Sequence, residues 1–492
     1  MKRSSGVLLH ISSLPSPYGI GTLGREAYRF ADRLRAAGQS CWQVLPLGPT
    51  SYGDSPYQSF STFAGNPYFI DLEELAEEGL LRRGELEAVD WGEDPRQVDY
   101  GKLYENRFRI LRRCYERGWE RSREAVEAFA REKPWLEDYA LFMALKGRFG
   151  MKSWTEWEDE DVRLRRRDAL ERCRQALGEE IRFYAFLQYL FFRQWKRLKD
   201  YVNGLGIRII GDLPIYVALD SADVWAEPEF FQLDQRNRPT EVAGVPPDYF
   251  AADGQLWGNP LYDYDRMRAD GFGWWIRRVE GAAQLCDAVR IDHFRGLESY
   301  WAVPYGDKTA RRGRWRKGPG MDLVRVLTGW FPDLAFIAED LGFLTPEVRQ
   351  LLKESGLPGM KVLQFAFDPR EPSDYLPHTY DHNCVCYTGT HDNETLLQWE
   401  RGADRASAAF AREYLGVGHA ARLNRAILKA GLRSVADTFI APMQDWLELD
   451  GRARMNTPGT AGGNWRWRMG AGDFDEALVR RMADWTRMYG RE

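Results

Sequence analysis

Asp212, the trio Arg290, Asp292 and His293, the pair Glu339 and Asp340, and the run His391-Asp392-Asn393 each close a β-branched or apolar run of the chain. One acid after such a run is ordinarily a helix cap or a turn residue. Four run ends carrying acids make a set suited to chemistry. Arg290 and Asp292 are two residues apart, so on an extended strand both side chains point the same way. A guanidinium beside a carboxylate keeps it ionised, as a nucleophile requires. A general acid needs the opposite treatment: burial and neighbouring negative charge must hold its proton near neutrality. Glu339 and Asp340 are the candidates, and because adjacent strand residues face opposite ways, spacing alone leaves that choice open. Such a pair suits cleavage of a glycosidic bond, with carboxyl groups about 5 to 5.5 Å apart if the product retains configuration through a covalent intermediate. Asp392 adds a third carboxylate to hold a distorted sugar, with His391 as donor to a ring hydroxyl.

To converge, these residues must sit at the C-terminal ends of parallel strands. The sequence predicts eight strands: Gly6 to His10, Ser40 to Leu47, Arg208 to Val217, Cys286 to Phe294, Leu334 to Leu341, Met360 to Phe367, Cys384 to Thr390 and Ala436 to Met443. Helical patterns separate most of them, and eight strand–helix units close into an α/β (β/α)8 barrel whose chemistry lies at the strands' C-terminal face. A bare barrel needs about 250 residues, so much of a 492-residue chain must be insertion. The barrel is assigned to residues 1–66 and 206–492, and a mainly helical insertion, rich in charge, to 67–205. A second insertion is assigned to 218–285. Its loop 242–262 carries Tyr249, Phe250 and Trp257 and reads as an active-site lid.

Composition narrows the partners. With 68 basic and 73 acidic side chains, net charge −5, the chain shows no footprint for nucleic acid or an anionic membrane. No stretch approaches a membrane span, and the apolar run Val7 to Leu9 is too short for a signal peptide. The six cysteines lack CxxC spacing, and free buried thiols in a reducing cytoplasm fit them better than disulfides or zinc. No HExxH pair occurs. Nineteen tryptophans supply flat faces on which sugar rings stack, which leans the reading toward a neutral carbohydrate partner.

The segments GDLPIYV (211–217), RIDHFRG (290–296), AEDLG (338–342) and TGTHDN (388–393) resemble the four signature regions of the α-amylase clan, in the form found in amylomaltases. Those are the 4-α-glucanotransferases, or disproportionating enzymes, of glycoside hydrolase family 77. The likeness extends to HISSLPSPYGIGTLG (10–24), YGDSPYQSFSTFAGNPY (52–68), DSADVWAEPEFF (220–231), the VAGVPPDYF and GQLWGNPLY stretches, and RMNTPGTAGGNWRWR (454–468). It implies a retaining transferase acting on α-1,4-glucans and maltooligosaccharides, with Asp292 as nucleophile, Glu339 as general acid and base, and Asp392 as transition-state stabiliser. It further implies that Tyr57, Asp212, Arg290, His293 and His391 contact the sugar before the scissile bond, with Trp257, Asn464 and Ser55 near the cleft. Tyr52 and Tyr100 resemble residues of a secondary glucan site. Asp212 is followed by LPIYV, without the Asn-His that ends this region in typical α-amylases, so neither calcium nor any cofactor is implied. An α-glucan hydrolase on the same barrel and a non-catalytic glucan-binding scaffold are the rival readings.

Overall fold

The computed structural model describes residues 3–51, 53–247, 252–342, 344–460 and 462–492. Among them lie β1 Ser4–Leu8, β2 Cys41–Gln43, β3 Arg208–Leu213, β4 Glu241–Val245, β5 Gln255–Pro260, β6 Ala288–Ile291, β7 Ser299–Pro304, β8 Arg314–Lys317, β9 Ala335–Ala338, β10 Gly359–Val362, β11 Cys384–Tyr387 and β12 Thr438–Pro442. Eight of these form one parallel sheet in the order β10-β11-β12-β1-β2-β3-β6-β9. This is the (β/α)8 barrel. Each expected apolar run contributes one of its strands; β1 has the five residues of its run, shifted two positions toward the N-terminus, and the other seven strands are shorter than their runs. The regular ladder of each strand lasts three to six residues.

The two strands at the ends of that order, β9 and β10, meet without a regular ladder. Ala338 donates its N–H to Pro358 O at 2.9 Å, and the Asp340 carboxylate accepts from the Met360 N–H at 2.6 Å. A side chain thus completes the closure that backbone bonds leave open. Gly359 makes room for it, since a Cβ there would lie 2.9 Å from both Asp340 carboxylate oxygens. At the opposite side of the barrel β1 lies between β2 and β12, and the hydroxyls of Ser4 and Thr438 stand 2.9 Å apart across 434 residues of chain.

Between β2 and β3 the chain builds the long helices Tyr100–Glu132, Trp135–Arg148 and Gly178–Gly204. The first starts where Asp99 accepts from the Lys102 N–H at 3.1 Å, and it stops one residue short of Pro134. The last packs on Trp135–Arg148 and also reaches β3 and the helix Arg25–Ala36. Leu103, Ile110, Phe186 and Leu198 therefore share one buried cluster with Val7, Trp42 and Ile209 of the barrel. No helix among the described residues is long and apolar enough to cross a membrane.

The segment 242–262, expected as a loop, is largely a β-hairpin. Strands β4 and β5 pair antiparallel within a second sheet of order β5-β4-β7-β8. Sequence reasoning missed this sheet because its strands mix glycine, proline and arginine and, apart from β4, lack a continuous buried run. Tyr249 and Phe250 lie outside the described residues.

Arg278, 1% exposed on the helix Gly273–Leu285, locks the chain leaving β3. Its guanidinium donates to Ile215 O, to Tyr262 Oη and to Thr62 Oγ1, each at 2.9 Å, and also to Pro214 O. Arg278→Ala strands these buried carbonyls and is expected to cost about 3 kcal/mol. Calorimetry should show a clear fall in the thermal midpoint.

Candidate active site

The register of three neighbouring strands assembles the acids. On β3 and β6, Asp212 pairs with Arg290. On β6 and β9, Ile291 pairs with Ala338, so one step further Asp292 and Glu339 stand side by side on strands about 4.8 Å apart. The ladder supports that step: Asp292 donates to Leu213 O and Glu339 to Ile291 O, both at 3.0 Å. Arg290, 4% exposed, donates to both oxygens of Asp212 at 2.7 Å and to Asp292 Oδ1 at 3.1 Å. The Glu339 carboxylate accepts from the N–H of His293, the residue after Asp292. His293 holds φ 51°, a left-handed conformation uncommon for a residue with a Cβ. Asp340 faces the other way, into the β9–β10 seam.

Burial pushes the Asp292 carboxyl up, to about 7, with Arg290 opposing and Asp212 and Asp392 adding to the rise. Burial pushes Glu339 higher, to about 8; Arg290 opposes and Asp292 adds. The two titrate as a pair. Near neutrality their shared proton resides on Glu339, because Asp292 has the direct bond to the guanidinium and its side chain keeps 27% exposure to water. Ionised Asp292 beside protonated Glu339 is the charge state of a nucleophile and a general acid. Burial lowers His293, to about 3, with Arg295 adding to it, and burial also lowers His391, so both rings are neutral donors or acceptors.

Across the mouth Asp392 sits on the turn after β11, 3.4 Å from His391 Nε2. Tyr57 links this side to the first: its hydroxyl donates to Asp212 at 2.6 Å, stands 3.3 Å from His391 Nδ1, and its ring stacks on His391 at 4.9 Å. Trp257 leaves the hairpin to meet the His293 ring edge-on at 4.9 Å. Asn464 Oδ1 accepts from the Thr457 N–H at 3.0 Å, one residue on from Asn456, whose side chain bonds Asp392. Ser55 Oγ accepts from the Tyr57 N–H at 3.3 Å, in the turn that aims Tyr57. Tyr100 lies on the first turn of its long helix with its hydroxyl engaged by Trp465 O at 3.0 Å. Tyr52 is outside the described residues.

Sequence reasoning passed over Trp465, whose ring centroid is 5.9 Å from Tyr57 and 5.7 Å from His391. It also passed over Arg454 and Asn456, which bond to Asp392. All three belong to the 454–468 motif, but nothing in their spacing says they meet residues as distant in sequence as Asp392, His391 and Tyr57.

A β/α barrel with converging carboxylates at the C-terminal ends of its strands defines a class: enzymes that act on glycosidic bonds. The family profile described as 4-alpha-glucanotransferase, of glycoside hydrolase family 77, matches residues 9–472. The chain is 47% identical over 486 residues to the 4-alpha-glucanotransferase of Clostridium butyricum, covering 98% of this chain and all of the relative. It is 51% identical over 501 residues to that of Thermus thermophilus, covering 99% of each. The amylomaltase of Streptococcus agalactiae in complex with acarbose superposes with a TM-score of 0.98 at 42% identity, over all of both chains. The chain belongs to the 4-alpha-glucanotransferase family, and its activity is that of a 4-α-glucanotransferase.

Arg290→Gln removes the cation that favours ionised Asp292. The acidic limb of the pH–rate profile should then move to higher pH, and kcat/KM should fall about 100-fold or more. Initial rates of maltotriose disproportionation across pH check both.

Proposed function

We propose that the enzyme transfers α-1,4-glucan segments by double displacement at Asp292 and Glu339. Asp292 attacks the anomeric carbon while Glu339 protonates the departing glycosidic oxygen, so a glucosyl ester forms as the old bond breaks. Glu339, now ionised, takes the proton from the 4-hydroxyl of an acceptor glucan, which displaces Asp292 and restores the free enzyme. Asp392 stabilises the positive charge that develops on the sugar in both steps. Tyr57, Asp212, Arg290, His293 and His391 hold the glucose before the scissile bond, with Trp257, Asn464 and Ser55 at the margins of the cleft. The observation that carries this reading is the β6–β9 register, which sets Asp292 and Glu339 abreast under one guanidinium.

Maltooligosaccharides and starch-like α-1,4-glucans are the substrates; the acarbose bound by the similar Streptococcus agalactiae enzyme supports this. Water in place of the acceptor would make the enzyme a hydrolase. Trp257, against His293, offers an acceptor sugar a stacking face at that point. Residues 67–205 act as a helical buttress continuous with the barrel core, and Tyr52 with Tyr100 marks a secondary glucan contact. Six free, buried cysteines support residence in a reducing cytoplasm.

Incubation with maltotriose should give glucose plus a ladder of longer chains at constant total reducing ends; a steady rise in reducing ends would establish hydrolysis instead. Asp292→Asn should abolish turnover while the protein still folds and binds sugar. Glu339→Gln, given a glycosyl fluoride whose departure needs no acid, should accumulate an ester detectable by mass spectrometry on the peptide holding Asp292. An ester on any other carboxylate would refute the assignment.

A further inference from the structure

The 454–457 run crosses the barrel mouth beside the turn that carries His391 and Asp392. Asn456 meets that turn twice. Its backbone N–H donates to His391 O at 3.1 Å, and its side-chain Nδ2 donates to Asp392 Oδ1 at 2.6 Å. The Arg454 guanidinium fastens the same two segments together, donating to Asp392 O at 2.7 Å and to Asn456 O at 2.8 Å. The Asp392 side chain is 46% exposed. A carboxylate so open to water samples several rotamers unless something holds it. Oδ1 is held by the amide, with His391 Nε2 3.4 Å away, while Oδ2 has no protein partner among the described residues.

We propose that Asn456 is a positioning residue for Asp392: its amide fixes the carboxylate with one oxygen anchored and the other presented to the sugar. This rests on Asp392 acting as transition-state stabiliser. An amide suits the task because it is a neutral donor. It orients the carboxylate and leaves its full negative charge for the developing oxocarbenium, whereas a lysine or arginine would neutralise it. The next peptide extends the coupling, since the Thr457 N–H donates to Asn464 Oδ1, tying Asn464 to the same anchor.

The test uses the full chain and maltotriose disproportionation. Asn456→Ala is expected to lower kcat about 10- to 100-fold with little change in KM, because the loss is felt in the transition state. Asn456→Asp adds a readout that a merely structural role would not move. Protonated, the new carboxyl donates to Asp392 as the amide does; ionised, it repels it. The ratio of Asn456→Asp to wild-type activity should therefore rise as pH falls. Asp392, His391, Arg454 and Glu394, which surround the position, are present in both proteins, so the added carboxyl and its coupling to them are what the ratio reads. Wild-type kcat in Asn456→Ala, or a ratio independent of pH, overturns the proposal. If Asp392→Asn is inactive in the same assay, that failure belongs to Asn456 alone; if Asp392→Asn stays active, the role of Asp392 falls and this proposal with it.

Discussion

The Arg290 guanidinium, bonded to Asp212 at 2.7 Å and to Asp292 at 3.1 Å inside the barrel mouth, supplies the charge around which the site is arranged. Three carboxyl groups on adjacent strands face this cation. Asp212 takes it bidentately with its own side chain fully covered, and Asp292 takes the remaining direct bond. Glu339 is left with a backbone N–H and the repulsion of its neighbour, and it keeps its proton. One cation shared unequally thus separates an ionised carboxyl from a protonated one, the division that the proposed nucleophile and acid require, without any difference in functional group between them. The Tyr57 hydroxyl on Asp212 carries the network to His391 and so to the far wall of the cleft.

Much of this was legible in the residues. Parallel barrel strands are buried on both faces, so they appear as continuous apolar runs, and all eight could be located from the sequence. The parity of Arg290 and Asp292 placed both on one face, as the ion pair shows. What parity could not do was choose between Glu339 and Asp340. That choice depends on the strand register and on the open seam between β9 and β10, where the Asp340 carboxylate bonds Met360. Both are relations between strands and leave no mark in one strand's pattern.

The four-stranded antiparallel sheet and the anchoring of Asp392 were not legible, for two different reasons. Strand β8, Arg-Trp-Arg-Lys, is mostly exposed, so burial imposes no pattern on it; its arginines instead reach across the sheet to Glu241. Asn456 and Arg454 act from an irregular segment, through bonds to a turn that is distant in sequence. Periodicity reports on regular elements, and here the decisive contacts run between irregular ones.

The seating of β1 between β2 and β12 bears on how the molecule is made. Strand β1 is synthesised more than four hundred residues before β12, and its second edge stays unsatisfied until that strand emerges. Until then the sheet is an open ribbon with unpaired amides and carbonyls at its rim, the kind of edge that recruits stray strands. The early β2–β3 helices, which share their apolar core with β1 and β2, give the nascent chain something to fold against while it waits.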